Sequence, residues 1–163
     1  MKRSFIEKVL KYNIGQHDSE ISGVSIDSRN LKKGELFVAV PGKQIDGHMF
    51  VKEALDKGAA AVLVSQDVGL KSNRLIRVAD TTKALGQIAS AWRDEFDPLL
   101  IGITGSNGKT TVKELTLQVL TDCFGKDQVL GTIGNLNNHL GVPLTLLRLC
   151  PTHRYAVVEM GMN

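Results

Sequence analysis

Lys109, Thr110 and Thr111 directly follow Gly108, and a further glycine, Gly105, precedes them in the stretch Ile-Gly-Ile-Thr-Gly-Ser-Asn-Gly-Lys-Thr-Thr from Ile101 to Thr111. A lysine and hydroxyls set just after closely spaced glycines suit the holding of phosphate. The glycines let backbone N–H groups turn inward around an anion, and a helix starting at that point adds partial positive charge. Lys109 supplies a full charge, and the Thr110 hydroxyl can ligate Mg²⁺. The common form of such a loop has a glycine five residues before its Gly-Lys step. Here that position is Ile103, and the additional glycines are Gly102 and Gly105.

Three other groups of residues carry chemistry. Glu159 ends the apolar run Tyr155-Ala-Val-Val and would bring a carboxylate to a strand terminus, where it either holds a metal ion or is merely solvated. Asn135, Asn137 and Asn138 crowd the segment Thr132–Gly141 with amide donors and acceptors; they suit a polar substrate and equally an ordinary turn. Asp27-Ser28-Arg29 and the loop from Lys43 to His48 follow two successive strand patterns and meet if those strands are neighbours. His139 has no carboxylate or nucleophile at a recognisable offset and reads as structural.

The elements that must position these residues follow from periodicity. Leu99, Leu100, Ile101 and Ile103 read as a short buried strand over 99–104, and Thr110–Leu120 as a helix with Val112, Leu115, Val119 and Leu120 as its buried side. Earlier, Ser4–Tyr12 reads as a helix with Ser4 as N-cap, Gly23–Ser28 and Glu35–Val40 as strands, Met49–Lys57 as a helix stopped by Gly58, and Ala59–Ser65 and Leu75–Val78 as strands. Asp80 caps a helix running to about Phe96. Strands alternating with helices predict an α/β fold with parallel sheets, in which ligands bind beyond the carboxyl ends of the strands. We expect two units, a small α/β domain over 1–80 and the first part of a parallel-sheet, phosphate-loop domain over 81–163.

Composition narrows the class. Across 163 residues, 42% apolar and 23% charged residues are those of a soluble globular protein. The net charge of +3 is spread without basic runs, and five Phe, two Tyr and one Trp are poor material for base stacking, so no nucleic-acid partner is expected. No apolar run is long enough for a membrane span or a secretory leader, and Cys123 and Cys150 read as two free thiols, which together predict a cytoplasmic protein without membrane insertion.

Thr104-Gly-Ser-Asn-Gly-Lys-Thr-Thr111 resembles the ATP loop of the Mur ligases, which build the peptide stem of bacterial cell wall, although that family more often has Thr where this chain has Ser106. Gly134-Asn-Leu-Asn-Asn-His-Leu-Gly-Val-Pro-Leu-Thr145 and Val158-Glu-Met-Gly-Met162 are similar to the member that adds D-alanyl-D-alanine. Asp27-Ser-Arg29, Gly34-Glu-Leu-Phe-Val-Ala-Val-Pro-Gly42 and Asp46-Gly-His-Met-Phe50 look like the domain that holds the UDP end of the substrate. The resemblance implies an ATP- and Mg²⁺-dependent ligation of D-alanyl-D-alanine to a UDP-N-acetylmuramoyl-tripeptide through an acyl phosphate. It implies that Gly105, Ser106, Asn107, Gly108, Lys109, Thr110 and Thr111 cradle ATP, with Lys109 and Glu159 catalytic and Thr110 and Glu159 on the metal. Asn135, Asn137 and Asn138 would line the muramoyl-peptide side, and Asp27, Ser28, Arg29 and His48 the uridine-diphosphate side. The family also has the rest of a central ATPase domain and a third domain, so the chain is expected to be an N-terminal fragment, inactive alone and with exposed sheet edges.

Overall fold

The computed structural model describes residues 1–12, 18–42 and 44–161; His17, Lys43 and Met162 lie outside them. Two compact units divide inside a helix, at Ile88 and Ala89, and each is α/β with an all-parallel sheet. Among the described residues no helix is long and apolar enough to cross a membrane, and Cys123 and Cys150 are free thiols.

The first unit, Met1–Ile88, holds α1 (Arg3–Val9), β1 (Val24–Ser25), β2 (Leu36–Val38), α2 (Val51–Asp56), β3 (Ala61–Val64) and β4 (Leu75–Arg77). It also holds the first half of α3, which spans Thr81–Phe96. Its strands pair in sequence order, β1-β2-β3-β4. β2 and β3 are buried on both faces, as parallel strands between layers must be. Phe37, Val62 and Val64 pack with Leu31, Val51 and Ala54 on one face, while Leu36, Val38, Ala61 and Leu63 alternate to the other. A turn of 3₁₀ helix, Gly47–Phe50, leads into α2. Asp80 caps α3 as expected, accepting the Lys83 N–H at 2.9 Å. Ser4 does not cap α1. Lys2 occupies that position, and the Ser4 backbone N–H instead donates to Asp18 Oδ1 at 3.0 Å.

The second unit, Ala89–Asn163, contains the end of α3, then β5 (Leu99–Ile103), α4 (Lys109–Phe124), β6 (Val129–Gly131), α5 (Gly141–Leu146) and β7 (Tyr155–Glu159). The strand order is β5-β7-β6, so β7 is central and fully buried from Ala156 to Glu159. Trp92 and Phe96 pack beside Leu130, Leu149 and Ala156, and Trp92 Nε1 donates to the Leu149 carbonyl at 3.1 Å.

Two expectations for this unit are corrected. β5 is an edge strand rather than a buried one, with Leu99 62% and Leu100 37% exposed. In α4, Val112, Leu115 and Val119 face outward at 51%, 63% and 60% exposure. The helix carries a second stripe at steps of three and four residues, Lys113, Leu117 and Leu120, and that one is turned inward. Gly131 of β6 shows how closely it packs, because a Cβ there would stand 2.5 Å from Leu117 Cδ1.

Candidate functional site

Register brings the second unit's chemistry together. Ile103, the last residue of β5, pairs with Glu159, the last of β7, and Gly131, the last of β6, pairs with Val157. The loop 104–108, the carboxylate of Glu159 and the asparagine-bearing segment after β6 therefore all leave one sheet edge.

Gly105 and Gly108 have φ of +145° and +74°, a region in which side-chain-bearing residues are strained. The αL turn at Gly108 opens α4, so the helix N-terminus points its N–H groups and dipole at the loop. Lys109 Nζ donates to the Gly105 carbonyl at 2.6 Å, while Ser106, Asn107, Thr110 and Thr111 are exposed around it. Thr110 Oγ1 donates to Glu159 Oε2 at 3.2 Å.

Glu159 is only 2% exposed and is held from several sides. Asn137 Nδ2 donates to its Oε1 at 2.8 Å, its own N–H donates to Thr132 Oγ1 at 3.0 Å, and Lys113 Nζ lies 3.8 Å from Oε2. The loop and the strand end are also tied by backbone: the Gly161 N–H donates to the Asn137 carbonyl at 2.7 Å and the Met160 N–H to the Ile103 carbonyl at 2.8 Å. Gly141 lets the asparagine segment fold back on itself, since a Cβ there would stand 2.3 Å from the Leu136 carbonyl carbon.

The other two asparagines are placed differently. Asn138 Oδ1 accepts the N–H groups of Leu140 and Gly141 at 3.1 and 2.8 Å, which makes it the turn that starts α5. Asn135 is exposed at the head of the segment. Sequence reasoning missed Lys113 and Thr132. Lys113 lies one turn beyond Lys109 on the same helix face, and that i,i+4 offset was the signal available.

Oxygen donors of Thr110 and Glu159 suit Mg²⁺, which takes one or two protein oxygens and completes its shell with water and phosphate. No group of three His, Cys, Asp or Glu among the described residues could hold a metal without such help.

In the first unit, a cavity of about 360 Å³ is lined by Ile26, Asp27, Ser28, Arg29, Val40 and Phe50, among others. Arg29 grips Asp27 with two nitrogens, Nε at 2.9 Å and Nη2 at 2.8 Å, and Asp27 also accepts the Arg29 N–H at 3.0 Å. Ser28 is anchored from beneath, its hydroxyl donating to Glu53 Oε2 and its carbonyl accepting from Lys57 Nζ. His48 is engaged through both ring nitrogens. Nε2 accepts the Ser65 N–H at 2.9 Å, which assigns the proton to Nδ1 and its 2.6 Å bond to Asp46 Oδ1. With both nitrogens committed, His48 fastens the 44–48 loop to the end of β3 and presents no donor to a ligand.

The Arg29 side chain, followed by its backbone N–H, pulls the Asp27 carboxyl down to about 2. A carboxyl lowered on folding contributes stability above its ordinary value of 3.8 and loses it as pH falls towards 2. We expect the Asp27 carboxyl carbon to titrate by NMR with a midpoint near 2, leaving the pair fully charged at neutral pH. A midpoint close to 3.8 would mean the pair does not form in solution.

Residues 20–93 match the Mur ligase family catalytic domain and residues 103–163 the Mur ligase middle domain. A UDP-N-acetylmuramoyl-tripeptide–D-alanyl-D-alanine ligase of Buchnera aphidicola is 46% identical over 90% of this chain, and the match covers 32% of that relative. Among solved structures, a UDP-N-acetylmuramoylalanyl-D-glutamyl-2,6-diaminopimelate–D-alanyl-D-alanyl ligase from Acinetobacter baumannii superposes with a TM-score of 0.83 at 35% identity, covering 98% of this chain and 36% of that one. The MurF ligase from Thermotoga maritima in complex with ADP gives 0.75 at 34% identity, covering 85% and 32%. The chain thus spans about a third of the length of these relatives. Two successive domain matches along most of its length, in the order and on the fold described, place the chain in the Mur ligase family.

Proposed function

We propose that the chain supplies the UDP-substrate unit and the phosphate- and cation-holding edge of an ATP-dependent ligase. The whole enzyme would join D-alanyl-D-alanine to UDP-N-acetylmuramoyl-tripeptide during peptidoglycan precursor synthesis. The observation that carries this reading is the pairing of Ile103 with Glu159, which sets the phosphate loop and a buried carboxylate side by side, with Thr110 Oγ1 3.2 Å from Glu159 Oε2.

In the reaction, a carboxylate oxygen of the tripeptide attacks the γ-phosphorus of ATP and ADP leaves, giving an acyl phosphate. The amine of D-alanyl-D-alanine then attacks the acyl carbon, phosphate leaves with the C–O bond electrons, and the amine loses a proton. Phosphoryl transfer is accelerated mainly by positioning and charge neutralisation. Lys109 and the N–H groups of 105–111 oppose the charge of the β- and γ-phosphates. Thr110 and Glu159 would hold Mg²⁺, which would supply positive charge against that of the phosphates. Asn137 keeps Glu159 in its rotamer, and Asn135 extends the same segment towards the muramoyl-peptide. In the first unit, the apolar walls Ile26, Val40 and Phe50 suit a uracil ring, and Asp27, Ser28 and Arg29 the ribose and diphosphate.

The test is thermal unfolding of this chain with each ligand separately. Saturation at about 100 times Kd stabilises by roughly 2.7 kcal/mol. We expect stabilisation by UDP-N-acetylmuramoyl-tripeptide and, in the presence of Mg²⁺, by ATP. No shift with the first ligand removes the substrate half of the proposal, and no shift with the second removes the nucleotide half.

A further inference from the structure

Lys113 is buried, at 1% exposure, yet the roles given above to the phosphate loop leave it unused. Its Nζ stands 2.9 Å from Glu114 Oε1, 3.4 Å from the Gly134 carbonyl and 3.8 Å from Glu159 Oε2, the same oxygen that accepts the Thr110 hydroxyl. Packing gives no reason for a lysine there. An apolar residue would continue the inward stripe of Leu117 and Leu120, and burying an ammonium is costly unless it is paired. Phosphate binding gives none either, since the Nζ is enclosed by Glu159, Glu114 and the head of the asparagine segment. What a lysine adds is one positive charge against the carboxylate that faces Thr110.

We propose that Lys113 is a positioning residue that serves Glu159 as a built-in counter-cation, weakening the grip of the Thr110–Glu159 pair on a divalent cation and tying Glu159 to Gly134 at the head of the asparagine segment. This rests on the reading that Thr110 and Glu159 hold Mg²⁺. A cation arriving at Glu159 is repelled by the ammonium 3.8 Å from its Oε2, and Lys113 retains Glu114 and Gly134 as acceptors when Glu159 turns to the metal. The outcome is a carboxylate kept in place by protein groups before the cation binds, and a cation held loosely enough to leave with the nucleotide.

The test titrates Mn²⁺, a stand-in with the same preference for oxygen donors, into the chain with ADP. Free Mn²⁺ is followed by its paramagnetic resonance signal. Lys113→Met, which keeps the side chain's length and removes its charge, is expected to bind Mn²⁺ on the order of tenfold more tightly. Its affinity for metal-free ADP should stay within about twofold of the parent, because the ammonium is already matched by the carboxylates of Glu114 at 2.9 Å and Glu159 at 3.8 Å. A merely structural lysine would give unchanged or weaker Mn²⁺ binding, and either result overturns the proposal. Weaker metal-free ADP binding overturns it too, by making Lys113 a phosphate ligand. If the methionine variant shows no cooperative unfolding, Lys113→Gln, which retains a donor for Gly134, is held to the same expectation. Glu159→Gln separates the underlying reading. Loss of Mn²⁺ affinity in that variant upholds the metal role of Glu159, and no loss removes that role together with the proposal.

Discussion

Replacement of Lys109 by alanine is expected to abolish most of the chain's stabilisation by ATP while leaving its stabilisation by UDP-N-acetylmuramoyl-tripeptide intact. Among the described residues Lys109 Nζ is bonded only to loop carbonyls, at 2.6 Å to Gly105 and 3.5 Å to Ser106, so its removal costs the fold little. Against phosphate the same ammonium makes charge-assisted hydrogen bonds, each contributing roughly 1.5–3 kcal/mol. Loss of one to two such bonds weakens ATP about 100-fold. An ATP concentration of 100 times the parent Kd then equals the variant's Kd, and the stabilisation drops from roughly 2.7 to about 0.4 kcal/mol. Calorimetric titration gives the affinity directly. A variant that binds ATP like the parent would leave the glycine loop as no more than a strand-to-helix turn.

The glycine loop between β5 and α4 was legible in the sequence because its demands are local: glycine where φ is positive, a charge and hydroxyls at a helix start. The partnership of Thr110 with Glu159 was legible at one remove, since two strands of a parallel sheet end on the same side whatever their order. Which face of α4 is buried was not. Two stripes, Val112-Leu115-Val119 and Lys113-Leu117-Leu120, both fit the helical period, and the more apolar of them is the exposed one. A buried lysine is chosen by its partners, Glu159 and Gly134, which are distant in sequence. His48 and Asn138 illustrate the same limit. Side chains that look like ligand groups in a polar loop also hold the structure around it, both ring nitrogens of His48 on Ser65 and Asp46, and the Oδ1 of Asn138 on Leu140 and Gly141. Ser28 and Asn137 read no differently in sequence, yet they sit against the cavity and the carboxylate.

Phe37→Ala is expected to be the most damaging single truncation in the first unit. Phe37 is fully buried at the middle of β2, in register with Ser25 of β1 and Val62 of β3, and packs on Leu31, Val51 and Ala54. A buried phenylalanine cut to alanine costs about 3–5 kcal/mol through lost transfer energy and the cavity left behind. Domains have only about 5–15 kcal/mol to lose, so the urea midpoint of the first unit should fall by about a fifth of its value or more. The damage should reach the cavity beside Asp27, because β2 leads to Val40, whose carbonyl accepts the Gly47 N–H at 2.9 Å and so holds the loop that lines it. UDP-N-acetylmuramoyl-tripeptide should then bind more weakly, with saturating ligand restoring part of the lost stability by linkage. Met49→Ala is the control, since Met49 is 77% exposed and its truncation should cost no more than about 0.5 kcal/mol. A Phe37→Ala chain as stable as the Met49→Ala chain would mean that β2 is not the centre of this core.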